Sequence, residues 1–161
     1  MLIVADSSAL VALATCDALK LLTALYDDVK VPRAVYEEVT VSDKPAARSL
    51  SIFLQERIVE VDISQFVVVS SGLGRGEIEA MLLYKSLTAD YLLIDDRRAR
   101  AIAESNKIRC IGALGILLLA KHQNLIDQIA PFIDILRNSP LYYSTNLLEA
   151  TLQLAGERPS T

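Results

Sequence analysis

Residues 2–8 read Leu2-Ile3-Val4-Ala5-Asp6-Ser7-Ser8, and this stretch decides the fold. The apolar run predicts a buried strand, and a serine at its end can cap a helix that continues to about residue 14. The run Tyr91-Leu92-Leu93-Ile94 repeats the pattern and is followed by Asp95 and Asp96. Because the carboxyl ends of strands in an open α/β sheet form the usual ligand crevice, we expect these acids to face a binding site.

The rest of the chain alternates short apolar runs with helical periodicity, which is typical of βαβ units and a parallel sheet. Further strands are predicted at 29–31, 58–61 and 108–111. Helices are predicted at 19–26, 32–40, 46–55, 77–87, 97–104, 113–123, 125–137 and 145–155. Residues 64–70 fit either a strand, favoured by Val67-Val68-Val69, or a short helix before a glycine loop.

The pattern as a whole predicts an α/β fold with a central parallel sheet flanked by helices on both faces. At 161 residues the chain fits one domain, 1–161, with 113–161 as a helical C-terminal region packed on it. The longest uncharged apolar stretch is far shorter than the roughly 20 residues of a membrane span. The N-terminus lacks the basic region of a signal peptide, so we expect no membrane association and a cytoplasmic location.

Charge and cysteine content limit the possible functions. The net charge of −4 argues against strong non-specific attraction to nucleic acid. A nucleic-acid enzyme stays possible because Arg97, Arg98 and Arg100 form a local basic cluster. Cys16 and Cys110 are too few for a disulfide framework and lie among apolar residues, so we expect buried, reduced and unreactive thiols.

Two features of the sequence argue against a dinucleotide-binding site and against histidine-based catalysis. The loop Gly72-Leu73-Gly74-Arg75-Gly76 is no dinucleotide fingerprint, because Glu77 stands where a glycine is needed. We expect these glycines to allow close approach of the backbone to the neighbouring strand and to place Glu77 at a helix start. His122 is the only histidine and fits a solvated cation at a helix end. Catalysis would then depend on carboxylates, hydroxyls and a metal ion.

Acidic residues occupy four positions of interest along the chain: Asp6, Glu38, Glu77 and the pair Asp95-Asp96. Glu38 borders the buried stripe of its helix, and Glu77 lies one turn before the apolar face of the next. Each acid alone fits a solvated helix face or a helix cap. Together in one crevice they would repel one another unless a cation held them, and oxygen ligands favour Mg²⁺ or Mn²⁺.

Four segments in order resemble the PIN-domain ribonucleases, specifically the VapC-like toxin branch and a related group filed as a domain of unknown function. The segments are 4–8, 31–39, 73–80 and 92–97, and residues 115–118 and 154–157 also resemble the related group. By similarity, Asp6, Glu38 and Glu77 take the first three acidic positions of the family. The fourth is Asp95 by its 18-residue spacing from Glu77, or Asp96 by the strand-end pattern.

The sequence departs from the family pattern at two positions. The third acid is commonly an aspartate and here is Glu77, whose longer side chain would place a metal ion differently. Ile94 stands where a hydroxyl residue is often found. The number of metal ions, one or two, is left open by these departures.

The resemblance implies a Mg²⁺- or Mn²⁺-dependent endoribonuclease that hydrolyses RNA phosphodiester bonds. Its catalytic residues and metal ligands would be the acids at the four positions named above, and Ser8 would hold Asp6. Arg97 and Arg98 would either bind phosphate groups or form an exposed helix face. The resemblance also implies a toxin that pairs with a small cognate antitoxin and forms a homodimer. Residues 141–143 would supply an interface or belong to the core. The alternative is a catalytically weak or inactive PIN-like binding or scaffold protein, favoured by the acidic charge and Ile94.

Overall fold

A five-stranded parallel sheet forms the centre of the protein. The structure, a computed structural model, describes residues 1–65 and 72–157, so the ambiguous triplet at 67–69 lies outside the described residues. The strands are β1 (Leu2–Ala5), β2 (Asp28–Pro32), β3 (Ile58–Val59), β4 (Tyr91–Leu93) and β5 (Cys110–Ile111). They are ordered β3-β2-β1-β4-β5, and all neighbouring pairs are parallel.

Helices connect the strands in the alternating order that the sequence predicts. The first five are α1 (Ser7–Thr15), α2 (Lys20–Leu25), α3 (Arg33–Val39), α4 (Ala47–Leu54) and α5 (Arg75–Leu87), with a short 3₁₀ helix at Ile63–Gln65. The remaining four are α6 (Arg97–Ser105), α7 (Ala113–His122), α8 (Ala130–Arg137) and α9 (Thr145–Leu154). None of these helices is long and apolar enough to cross a membrane.

Helix α8 starts at Ala130, five residues later than the 125–137 predicted. Pro131 lies in its first turn, where a residue without an N–H group is tolerated. Further inside a helix, the proline ring would clash with the preceding turn. Asn124 also adopts a positive φ of 61° directly after α7, which separates the two helices.

Side chains of the central strands alternate between two apolar cores. Ile3 and Ala5 of β1 belong to the larger core, whereas Val4 belongs to the smaller one. Helices α1, α2, α3, α4, α7, α8 and α9 contribute buried residues to the larger core, and α5 and α6 contribute to the smaller one. The prediction of a parallel α/β sheet with helices on both faces is therefore confirmed.

The order of the strands places a crevice between β1 and β4. Within the sheet, β2 and β3 lie on one side of β1, and β4 and β5 lie on the other side of it. The strand order reverses at this point, which is where open α/β sheets bind ligands. The backbone N–H of Asp6 donates to the carbonyl of Leu93 over 2.8 Å, so the two strands end side by side.

Candidate functional site

A cavity of about 680 Å³ opens at the carboxyl ends of β1 and β4. Its lining includes five acidic residues from four parts of the chain, namely Asp6, Glu37, Glu38, Glu77 and Asp96. Asp6 follows β1, Glu38 lies in α3, Glu77 in the first turn of α5, and Asp96 caps α6. The fold thus brings together acids that are far apart in sequence.

The carboxylate of Asp6 is the most deeply buried acid of this cavity. The residue is 3% exposed, and its Oδ1 atom has no hydrogen-bond partner among the described residues. Burial raises the pKa of Asp6 from its ordinary 3.8 to about 7, and the charges of Glu77, Glu38 and Asp96 raise it further, against the opposing effect of the Ser7 backbone. An unpaired buried carboxylate surrounded by other acids is costly, and a cation would relieve that cost.

Glu38 is held in the cavity by a hydroxyl group. Ser7 Oγ donates to Glu38 Oε2 over 2.8 Å. A Cβ atom added at Gly76 would lie 3.0 Å from the same oxygen and 3.4 Å from Val35. The glycine therefore allows α5 to approach helix α3. From the sequence, a glycine of this loop is expected to approach a strand, and that expectation is wrong for Gly76.

Glu77 is bonded at the start of its own helix. Its Oε2 atom accepts from the backbone N–H of Gly74 over 2.8 Å, which satisfies a donor that the first turn of α5 leaves open. The helix dipole also favours a carboxylate at this position. Glu77 therefore has a structural partner in addition to its place in the acidic cavity.

Glu79 is a buried acid that the sequence analysis did not single out for the site. It is 2% exposed, and it accepts from Arg75 Nε over 2.8 Å and from the backbone N–H of Ala34 over 3.3 Å. The bond from Ala34 joins α5 to the first turn of α3, and these two helices carry Glu77 and Glu38. The four-residue spacing of Arg75 and Glu79 is the signal in the sequence that suggests the pair.

The neighbours Asp95 and Asp96 point to different places. Asp96 Oδ1 accepts from the N–H of Ala99 over 2.8 Å, and the residue lines the acidic cavity. Asp95 lies outside that cavity: its Oδ2 accepts from the hydroxyl of Tyr143 over 2.6 Å, and its Oδ1 accepts from the N–H of Ala113 over 2.9 Å. Of the two candidates for the fourth position, the structure therefore groups Asp96 with the other three acids.

The donor set fits a hard divalent cation, although the side chains are not arranged around one. Carboxylate oxygens are the ligands that Mg²⁺ and Mn²⁺ prefer, and Asp6 Oδ1 is a buried oxygen with no other described partner. Within residues 1–65 and 72–157, however, no three His, Cys, Asp or Glu side chains lie close enough together to hold an ion as they stand.

A family model described as a PIN domain matches residues 2–157, nearly the whole chain. The chain belongs to the PIN-domain family. The matching group is itself filed as a domain of unknown function, and the predicted membership of the PIN superfamily is confirmed. PIN domains are generally nucleases and typically use divalent metal ions. No curated protein and no solved structure gives a significant match to the chain.

Basic residues of this PIN domain lie around the acidic cavity. The guanidinium group of Arg98 lies against Gly72, which has a φ of +83° and leaves no room for a side chain. Arg97 and Arg100 line a second cavity beside the first, and Arg100 also pairs with Glu104 over 3.0 Å. The basic cluster that the sequence indicates is therefore next to the acids.

The remaining predictions for the PIN domain concern its histidine and cysteines. His122 ends α7 and is exposed, as expected for a solvated cation. Both thiols are free, and burial raises the pKa of Cys16 and of Cys110 to about 11, which disfavours the reactive thiolate. Cys16 is buried as predicted, whereas Cys110 is only half-buried because it lies in the edge strand β5.

Proposed function

We propose that this PIN domain is a Mg²⁺- or Mn²⁺-dependent endoribonuclease that hydrolyses RNA phosphodiester bonds. The observation that carries the proposal is the buried Asp6 carboxylate, which has an unpartnered oxygen and three further acids near it. A site that only stabilised the fold would gain nothing from this concentration of negative charge. Membership of a nuclease family and the neighbouring arginines support the same conclusion.

The proposed roles follow from the positions of the acids. Asp6 and Asp96 would hold the ion directly, and Glu38 and Glu77 would complete its shell or orient the attacking water. Ser7 fixes Glu38 through its hydrogen bond and so limits where that carboxylate can move. A bound ion would lower the pKa of a coordinated water and offset charge on the phosphate.

The first experiment is cleavage of single-stranded RNA in Mg²⁺, in Mn²⁺ and in EDTA. We expect Asp6→Asn to lower the rate by more than about 100-fold, which exceeds the usual effect of changes outside the ligand shell. The matched control is Asp127→Asn, since Asp127 is an exposed aspartate outside the cavity. Cleavage that survives both EDTA and the loss of the Asp6 carboxylate would disprove the proposal.

The second experiment compares the two neighbouring aspartates. Asp96→Asn should abolish cleavage as Asp6→Asn does, because Asp96 lines the acidic cavity. Asp95→Asn should retain most of the activity, because an amide oxygen can still accept one of the two bonds made by Tyr143 and Ala113. The reverse order of effects would assign Asp95 to the site instead.

We further propose a biological role and an assembly from the resemblance. The protein would be the toxin of a VapC-like toxin–antitoxin pair in the cytoplasm, with 1–161 acting as one domain, a small protein as its antitoxin and a homodimer as its free form. Induced expression should then arrest growth in wild type and not in Asp6→Asn, and light scattering should give twice the chain mass. Normal growth with wild-type protein that is active in vitro would contradict the toxin role.

The second candidate is a catalytically weak or inactive PIN-like scaffold. Two observations favour it: no three described metal-ligating side chains stand close enough to share an ion, and the buried Ile94 carries no hydroxyl. Thermal unfolding with and without Mn²⁺ separates the candidates, because an ion that binds the folded state stabilises it. A nuclease should show an upward shift that Asp6→Asn removes, and a scaffold should show none.

A further inference from the structure

A second cavity, of about 560 Å³, lies next to the acidic one. Ser8 and Asp96 line both cavities, so the two are adjacent along one surface. The second cavity is built from the ends of β4 and β5, the first turns of α6 and α7, and the segment between α8 and α9. Its volume is within the range of about 300–1,000 Å³ that accommodates small-molecule ligands.

The lining of the second cavity combines apolar, aromatic, basic and acidic groups, the acidic ones being Asp95 and Asp96. Ile111 and Leu114 contribute apolar surface, and Arg97 and Arg100 contribute positive charge. Arg97 is exposed and forms no ion pair with any residue of 1–65 or 72–157. Two arginines thus balance two aspartates in the second cavity, whereas five acidic residues and one arginine line the first.

Tyr142 is an exposed aromatic residue at the edge of the second cavity. Its side chain is 93% exposed, yet the residues on either side of it are held in place. Leu141 packs against the larger core, and the hydroxyl of Tyr143 donates to Asp95. An aromatic ring fixed through its backbone but open to solvent can offer its face to a ligand at little entropic cost.

We propose that this cavity binds a base of the RNA strand next to the phosphate that the acidic cavity holds, with the base stacked on Tyr142. The inference rests on the proposed function, because it takes RNA as the substrate. Arg97 would bind the phosphate that links this nucleotide to the next. Stacking on an aromatic ring accepts every base, so this cavity would strengthen binding without selecting a sequence.

Charge and position favour a nucleotide over a protein segment as the occupant. The arginines attract a phosphate, and the shared residue Asp96 places the second cavity beside the acidic one, as consecutive nucleotides require. An apolar peptide would leave Arg97 without a counterpart. An RNA strand that crosses both cavities would instead place its phosphate, base and sugar against protein groups of matching chemistry.

The test is binding of a short single-stranded RNA in which 2-aminopurine replaces one base, with the replacement moved along the strand. All proteins carry Asp6→Asn so that the RNA stays intact. Tyr142→Ala should raise the Kd about tenfold and abolish fluorescence quenching at one position, whereas Tyr142→Phe should keep both. The matched control is Leu154→Ala, which removes an apolar side chain that is 77% exposed and outside both cavities.

A second measurement identifies the base that stacks. An abasic nucleotide at that position should weaken binding as much as Tyr142→Ala does, and the two changes together should cost no more than either alone. Equal Kd values for the protein with Tyr142 and for the Tyr142→Ala variant would overturn the inference and leave the nuclease proposal intact. Tyr142-dependent binding by a protein that never cleaves RNA would support the inference and reject the nuclease, and failure to bind RNA at all would overturn both.

Discussion

The substitution Asp6→Asn should stabilise the metal-free protein at alkaline pH while it destroys the proposed site. The Asp6 carboxylate is buried, its Oδ1 atom has no described partner, and three acids lie near it. An amide of nearly the same shape carries no charge and so avoids both the loss of hydration and the repulsion. We therefore expect Asp6→Asn to unfold at higher denaturant concentration than wild type.

The size and pH dependence of this gain follow from the pKa of Asp6. A shift from 3.8 to about 7 means that the folded protein binds the proton more tightly than the unfolded chain does, by about 4 kcal/mol. Stability of the wild type should therefore fall as pH rises through the window from about 4 to 7, and the full cost should be present above it. The advantage of Asp6→Asn should be near zero at the lower end and approach about 4 kcal/mol at pH 8.

Urea unfolding in EDTA at several pH values between 4 and 8 measures the difference directly. The control Asp127→Asn changes an exposed aspartate and should give a small difference that does not depend on pH in this way. Excess Mn²⁺ should reduce the gap, because the ion stabilises only the protein that can bind it. A metal-free gap that is absent at pH 8, or constant across the range, would refute the claim that Asp6 is a desolvated acid among other acids.

Three further substitutions test how the site is held. Tyr143→Phe removes the bond to Asp95 and should lower the free energy of unfolding by about 2 kcal/mol, measured by urea unfolding; an unchanged value would show that the bond is not formed in solution. Glu79→Gln weakens the connection between α3 and α5 and should cost about 1–3 kcal/mol and slow cleavage, and full activity would contradict its positioning role. Gly76→Ala places a Cβ atom 3.0 Å from Glu38 Oε2, so the rate of cleavage should fall while the melting temperature hardly changes. An unaltered rate would show that catalysis does not depend on Glu38.

The fold was predictable because its strands are short apolar runs with distinct ends. Each predicted strand within the described residues is present, although β3 and β5 are shorter than expected. These two are the edge strands of the sheet, where pairing on one side only defines the ends of a strand less sharply. The start of α8 near residue 130 can also be predicted from the sequence, because a proline such as Pro131 is favoured in the first turn of a helix.

The acids of the site were harder to assign than the elements that carry them. Helical periodicity placed Glu38 and Glu77 beside buried stripes, and the structure puts both in the cavity. The same periodicity did not identify Glu79, because a buried acid looks like a break in an apolar stripe. Its partners explain the burial: Arg75 precedes it by one turn, whereas Ala34 comes from a distant helix that sequence spacing does not reveal.

The choice between Asp95 and Asp96 depends on strand register, which the sequence pattern leaves open. Val4 pairs with Leu92, and both belong to the smaller core together with Ile94 and the buried side chains of α5. Side chains alternate along a strand, so the residues two further on, Asp6 after Val4 and Asp96 after Ile94, extend toward the helix that carries Glu77. Asp95 extends to the opposite face, where Tyr143 and Ala113 bind it. Spacing from Glu77 favours Asp95, whereas the alternation of the paired strands places Asp96 in the acidic cavity.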